Sequence, residues 1–172
     1  MSDFEITVLV LSEHENFRRK FAALEGTAEP EGLTAAWDEL AAALEVHAVA
    51  EEKLVYPLLA HAADDGASES ADAVREHNDI RHALAAVSEH DAGSEDWWAA
   101  VRAAQDVNAT HMADEEREFL PDFKQAVPDA QREELGMSWL QFHEEHDKAR
   151  GLSGKDTDPQ DVLDAPAEVE SS

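Results

Sequence analysis

The stretch His47-Ala48-Val49-Ala50-Glu51-Glu52-Lys53-Leu54-Val55-Tyr56-Pro57 returns later in the chain as His111-Met112-Ala113-Asp114-Glu115-Glu116-Arg117-Glu118-Phe119-Leu120-Pro121. In both copies a glutamate follows the histidine by four residues, and a proline follows that glutamate by six. Around an α-helix four residues advance about 400° and about 6 Å, so each histidine and its glutamate stand one above the other on a single face. Leu33, Trp37, Leu40, Leu44, His47, Glu51, Leu54 and Leu58 follow one four-three alternation, the pattern of a buried helical seam. His47 and Glu51 therefore take two core places, where a carboxylate or charged imidazole without a partner is costly.

The repeat extends upstream of both copies. His14 precedes His47 by 33 residues and His77 precedes His111 by 34. Leu11, His14, Phe17, Phe21 and Leu24 align one for one with Val74, His77, Ile80, Leu84 and Val87. Apolar periodicity gives four main helices, roughly 4 to 25, 32 to 62, 69 to 91 and 94 to 127. Gly26 to Gly32 with Pro30, Ala63 to Ser68 with Gly66, and Asp91 to Ser94 with Gly93 separate them, all rich in residues that stop or cap helices. Short connections make neighbours antiparallel. The expected fold is all-α, an antiparallel up-down-up-down four-helix bundle with a short extra C-terminal helix at about 129 to 149 that carries Leu135, Trp139, Leu140 and Phe142. Pro57 and Pro121 each remove a backbone hydrogen bond and should bend their helices just after the glutamate. The bundle is expected to occupy residues 1–150. Residues 151–172, acidic and poor in apolar side chains, are expected to form a disordered tail.

At 172 residues the chain is long enough for one domain with a real core, so polar residues in the seams are not forced by a shortage of apolar ones. Forty acidic against thirteen basic side chains give a formal charge of −27, which argues against nucleic acid or an anionic membrane as partner. Only five of the basic residues are lysine, and acids are spread over every expected exposed face, the pattern of a surface adapted to high salt. Cysteine is absent, which excludes disulfides, thiolate catalysis and iron–sulfur ligation. No basic segment followed by a long apolar stretch opens the chain, and the run Ile6 to Leu11 is too short to span a bilayer. A soluble, cytoplasmic protein is expected.

His14, His47, Glu51, His77, His111 and Glu115 thus converge on one interior. Burying so many ionisable groups unpaired would cost several kcal/mol apiece, against a net stability of about 5 to 15 kcal/mol for a domain. A metal cluster turns that penalty into bonding. Imidazole and carboxylate without sulfur suit iron or manganese, and six ligands exceed the four of a structural zinc site. Two ions, each taking two histidines and sharing Glu51 and Glu115, use every candidate. His14 with His47 and His77 with His111 are the expected pairs, although the sequence does not fix them. Glu52 and Glu116 are reserve ligands. Tyr56 is expected to be a core tyrosine, with a role as hydrogen-bond donor or late ligand as the alternative. Asn108 is a candidate to hydrogen-bond behind the ligands. His143 and His146 are expected to be solvated helix residues, and His61 and His90 to complement helix ends.

The four histidines, the two His-x-x-x-Glu units and Tyr56-Pro57 with Leu120-Pro121 resemble the hemerythrin-like (HHE cation-binding) family over about residues 4 to 127, and Gln131-Arg132-Glu133-Glu134-Leu135-Gly136 is similar to its closing segment. The resemblance implies a non-haem, oxo- or hydroxo-bridged di-iron centre with two iron ions as cofactor, and a small ligand such as dioxygen, peroxide or nitric oxide. The oxygen-carrying members use a third-helix His-x-x-x-His pair, whereas this chain has Arg81 four residues after His77; His82 comes one later, about 100° around the helix. The expected function is binding or sensing of dioxygen or related small oxidants. The rivals are a peroxide- or nitric-oxide-processing di-iron enzyme and an iron-homeostasis or iron-sensing protein. Any signalling would pass through an unidentified protein partner.

Overall fold

The structure is a computed structural model that describes residues 3–167. Among these residues every regular element is helical. The long helices are α1 (Ile6–Glu25), α2 (Pro30–Leu54), α4 (Gly66–Val87), α5 (Glu95–Asp114) and α7 (Asp129–Glu145), with shorter α3 (Tyr56–Ala62), α6 (Leu120–Ala126) and α8 (Pro159–Asp164). Ser94 caps α5 by accepting the Trp97 N–H. Lys20 pairs with Glu39 and His47 with Glu13, so α2 descends as α1 ascends. Glu45 with Arg81 and Glu52 with His77 step along α2 and α4 in the same opposed sense. Among the described residues no helix is long and apolar enough to cross a membrane.

The two prolines act where expected but differently. At Pro57 the missing N–H ends α2: Val55 takes φ −105° and ψ −55°, its N–H still bonds Glu51 O, and α3 restarts at Tyr56. Before Pro121 the chain stays helical by widening into one π-turn, Glu115–Phe119, closed by the Leu120 N–H on Glu115 O. An extra residue in a turn absorbs the lost bond without breaking the axis. The helix expected over 32 to 62 is thus two helices, and the one over 94 to 127 contains a π-turn.

The core falls into two apolar clusters. One holds Ile6, Val10, Val46, Ala50, Val74, Phe119, Phe123 and Trp139; the other holds Phe17, Phe21, Trp37, Leu40, Leu44, Ile80, Leu84 and Val101. Along α1, His14 lies between Val10 and Phe17; along α2, His47 lies between Leu44 and Ala50; along α4, His77 lies between Val74 and Ile80. The histidines therefore form a polar layer between two dry compartments. The helix α7 packs on α1 and α2, locked by Arg132 to Glu5 at 2.7 Å and to the Val127 carbonyl. Gly136 permits the approach, because a Cβ there would fall 1.7 Å from the Phe4 carbonyl oxygen.

The segment after Gly151 corrects the expectation of disorder as far as it is described. It turns at Gly151 and Gly154, both with positive φ, and α8, capped by Asp158, seats Val162 in the first apolar cluster. Sparse apolar content suggested nothing to bury, yet one buried valine, Leu152 beside it and a set of polar anchors hold the strap to α3 and α4. Residues 168–172 lie outside the described residues.

Candidate metal centre

All six candidate residues meet in the polar layer, each between 0 and 4% exposed. His14 comes from α1, His47 and Glu51 from α2, His77 from α4, His111 from the end of α5, and Glu115 from the π-turn. The helical i,i+4 spacing lets one carboxylate face its own histidine: His47 Nε2 lies 3.3 Å from Glu51 Oε1, and His111 Nε2 lies 3.4 Å from Glu115 Oε2. Each carboxylate also reaches the other half of the repeat. Glu51 Oε2 is 3.1 Å from His77 Nε2, and Glu115 Oε2 is 3.2 Å from His14 Nε2. Two sets of potential ligand atoms lie within 4.8 Å of one another, His14, His47, Glu51 and Glu115 in one, and Glu51, His77 and His111 in the other.

The inward nitrogens and oxygens fit a cation. His14 Nε2, His47 Nε2 and Glu115 Oε2 are buried and make no hydrogen bond, a state that a protein interior seldom tolerates without a ligand. Two ligand atoms held at about 2.1 Å from one ion stand about 3.0 to 3.4 Å apart at octahedral or tetrahedral angles, close to the separations here. His77 Nε2 and His111 Nε2 lie 3.1 Å apart, a separation that falls in the same range.

Behind every histidine stands a second carboxylate. Nδ1 of His14 meets Glu116 at 2.9 Å, that of His47 meets Glu13 at 2.8 Å, that of His77 meets Glu52 at 3.0 Å, and that of His111 meets Glu76 at 2.7 Å. With the proton on Nδ1 donated outward, the Nε2 lone pair points inward and the ring is fixed, the usual arrangement of a metal-bound imidazole. Glu52 and Glu116 therefore hold histidines instead of serving as reserve ligands. Glu13 and Glu76 escaped the sequence reading. The signal was a Glu-His dipeptide at both His14 and His77, diluted by the same dipeptide at His90 and His146.

Tyr56 is both the core tyrosine expected and the hydrogen-bond donor named as its alternative: it is fully buried, and its hydroxyl lies inside the centre, donating to Glu115 Oε1 at 2.7 Å and lying 3.1 Å from Glu51 Oε2 and 3.1 Å from His77 Nε2. Its position five residues after Glu51, across the break at Val55, turned it inward. Burial, then the facing carboxylates of Glu115 and Glu51, push the phenol well above its ordinary pKa, so it keeps its proton. His143 is not a solvated residue: its Nε2 lies 2.9 Å from Glu13 Oε1, which also accepts from Trp139 Nε1 at 2.8 Å. Asn108 donates to the Met112 sulfur and not to a ligand. His82 lies outside, paired with Asp156, and Arg81 clamps Glu52 and Glu45 where a fifth histidine would stand.

The electrostatics match a charged, paired interior. Burial alone would raise Glu51, but His47 and His77 hold it well below the usual carboxylate range. Burial would likewise lower His77, yet Glu51 and Glu52 raise it to about 9. Glu13, pushed up by burial, is brought down to about 2 by His143 and His47. In the metal-free chain protons supply the positive charge that cations would otherwise bring.

Comparisons with curated proteins and with solved structures give no match. The sequence pattern of the hemerythrin HHE cation binding domain matches residues 5–123, a span that contains all four histidines, both central glutamates and Tyr56. With more than half its length inside that match, the chain belongs to the hemerythrin HHE cation-binding family.

Proposed function

We propose that this protein binds two iron ions and presents them to dioxygen or a related small oxidant. His14 and His47 would hold one ion and His77 and His111 the other, with Glu51 and Glu115 as the carboxylate ligands. The observation that carries this reading is the pairing of four inward Nε2 atoms with four outward Nδ1–carboxylate hydrogen bonds, an investment in ring orientation that a proton-only cluster does not need. The absence of thiolates and the mixture of imidazole and carboxylate favour iron over a structural zinc. When bound, iron supplies electrons and open coordination positions for the small ligand. The chain's part is to exclude water with the two apolar clusters, hold four rings by their outer carboxylates, and offer one O–H donor, Tyr56, at the centre.

A second reading, turnover of peroxide or nitric oxide, gains from Tyr56 as the polar hydrogen at the site. A phenol held well above its ordinary pKa is a hydrogen-bond donor and a poor proton source, so binding remains the better account. The opposed pairings along α1, α2 and α4 support the antiparallel up-down-up-down bundle, and the charge of −27 supports a salt-adapted surface, for which the melting temperature rises with potassium chloride. Optical titration of the ferrous protein with dioxygen, nitric oxide and azide tests the reading. Ligand-dependent charge-transfer bands are expected; a spectrum indifferent to all three would refute a small-ligand function.

A further inference from the structure

Residues 151–167 lie beyond the matched family segment, yet they come within two hydrogen bonds of a candidate ligand. Thr157 Oγ1 donates to Glu52 Oε2 at 2.7 Å, and Glu52 Oε1 faces His77 Nδ1 at 3.0 Å. The strap is fastened at the same point by a reciprocal pair: the Thr157 N–H donates to Asn78 Oδ1 and Asn78 Nδ2 donates to the Thr157 carbonyl, both at 2.9 Å. Asn78 is the next residue after His77, so the strap grips the helix beside the ligand. Arg81 completes the group, with Nη1 on Glu52 Oε1 at 3.0 Å and Nη2 on Oε2 at 3.2 Å.

We propose that Thr157 is a positioning residue of the metal centre, and that docking of the C-terminal strap and retention of the cation on His77 reinforce each other. Glu52 is buried, so each of its oxygens needs donors. The strap supplies one of the two on Oε2. Without it Oε2 keeps only the Arg81 Nη2 bond, and the carboxylate is held less firmly against the His77 ring that it orients. In the opposite direction, a cation on Nε2 fixes the His77 ring with Nδ1 on Glu52, which holds that carboxylate where Thr157 requires it. A coupling of this kind is reciprocal by linkage.

The inference rests on His77 being a ligand, and iron content is therefore counted first in every sample. The test uses the full-length chain, loaded with ferrous iron anaerobically, and follows iron release to a ferrous chelator in wild type, Thr157→Val and Thr157→Ser. Thr157→Val should start with the wild-type iron content and lose part of it about 10-fold faster, while Thr157→Ser, which keeps the hydroxyl, should behave as wild type. Hydrogen exchange of residues 155–164 in the wild-type chain needs no substitution; the iron-loaded form should exchange several-fold more slowly than the iron-free form. A normally loaded Thr157→Val that releases iron at the wild-type rate, or strap exchange indifferent to iron, overturns the latch and leaves the ligand assignment standing. A wild-type chain that takes up no iron overturns both.

Discussion

The two halves of the centre repeat each other on the inside and diverge on the outside. In the half built on His47, the outer carboxylate Glu13 is braced by Trp139 and His143 of α7, and the His47 ring is packed edge-on by Phe17 and Trp139 at 5.1 and 5.3 Å. In the half built on His111, the corresponding Glu76 has its only side-chain partner among the described residues in His111, and it borders a cleft of about 320 Å3 that also carries Glu69, Asp72 and Glu118. The other pair of outer carboxylates differs likewise: Glu116 is tied to the half-exposed Arg18, and Glu52 to the buried Arg81 and the strap. Duplication set which atoms face a cation. How firmly each ring is held was set by segments outside the duplication, α7 and the strap.

The strongest way to break this comparison is at the carboxylate the two halves share. Glu51 belongs to both potential ligand sets, so Glu51→Ala should reduce bound iron from roughly two per chain to well under one, read by metal analysis after anaerobic loading. A variant that kept half its iron would mean that the halves are independent. The next effect separates the braced from the open side. Glu13→Gln should weaken iron binding about 10- to 100-fold in competition with a chelator, whereas Glu76→Gln, which loses a carboxylate with fewer ties, should fall at or below the lower end of that range. Equal losses would show that the bracing by α7 is irrelevant to the metal.

Tyr56→Phe probes the point where the halves meet. It removes a hydroxyl shared by Glu51 and Glu115, and should lower the stability of the iron-free chain by about 1 to 3 kcal/mol in urea unfolding at fixed salt, with iron content preserved. Loss of iron instead would promote Tyr56 to a ligand. The smallest effect is on acid stability. Glu13 titrates at about 2 in the folded chain, against an ordinary value of 4.5, so its contribution is present above 4.5 and is lost as pH falls through 2. Glu13→Gln should accordingly show a shallower loss of stability between those limits in the iron-free form, and an unchanged slope would contradict the bracing of Glu13 by His143 and His47.

The inner ring was legible because the helix places i,i+4 residues on one face and the seam fixes that face inward, so His47 with Glu51 and His111 with Glu115 could be read from spacing alone. The outer ring was legible only in part. Glu52 and Glu116 stood out as reserve ligands and not as partners of the histidines, and Glu13 and Glu76 did not stand out at all; each sits one position from a ligand, about 100° around the helix, and only the tertiary approach of a neighbouring helix turns it into a partner. Tyr56 was legible as a core residue, but the direction of its hydroxyl was not, because a proline signals that a break occurs without saying which way the chain turns. The strap was missed because composition counts apolar residues and does not see that Thr157, Asn78 and Glu52 complement one another across more than a hundred residues of sequence.

The central claim is that iron, and not protons, neutralises this interior. Metal analysis of freshly purified protein handled without oxygen, paired with thermal melts before and after adding ferrous salt, tests it most directly. Roughly two iron ions per chain, and a melting temperature that rises on loading the stripped protein, are the expected result. Folded protein that contains no transition metal, and melts at the same temperature with ferrous salt as without it, would contradict the account.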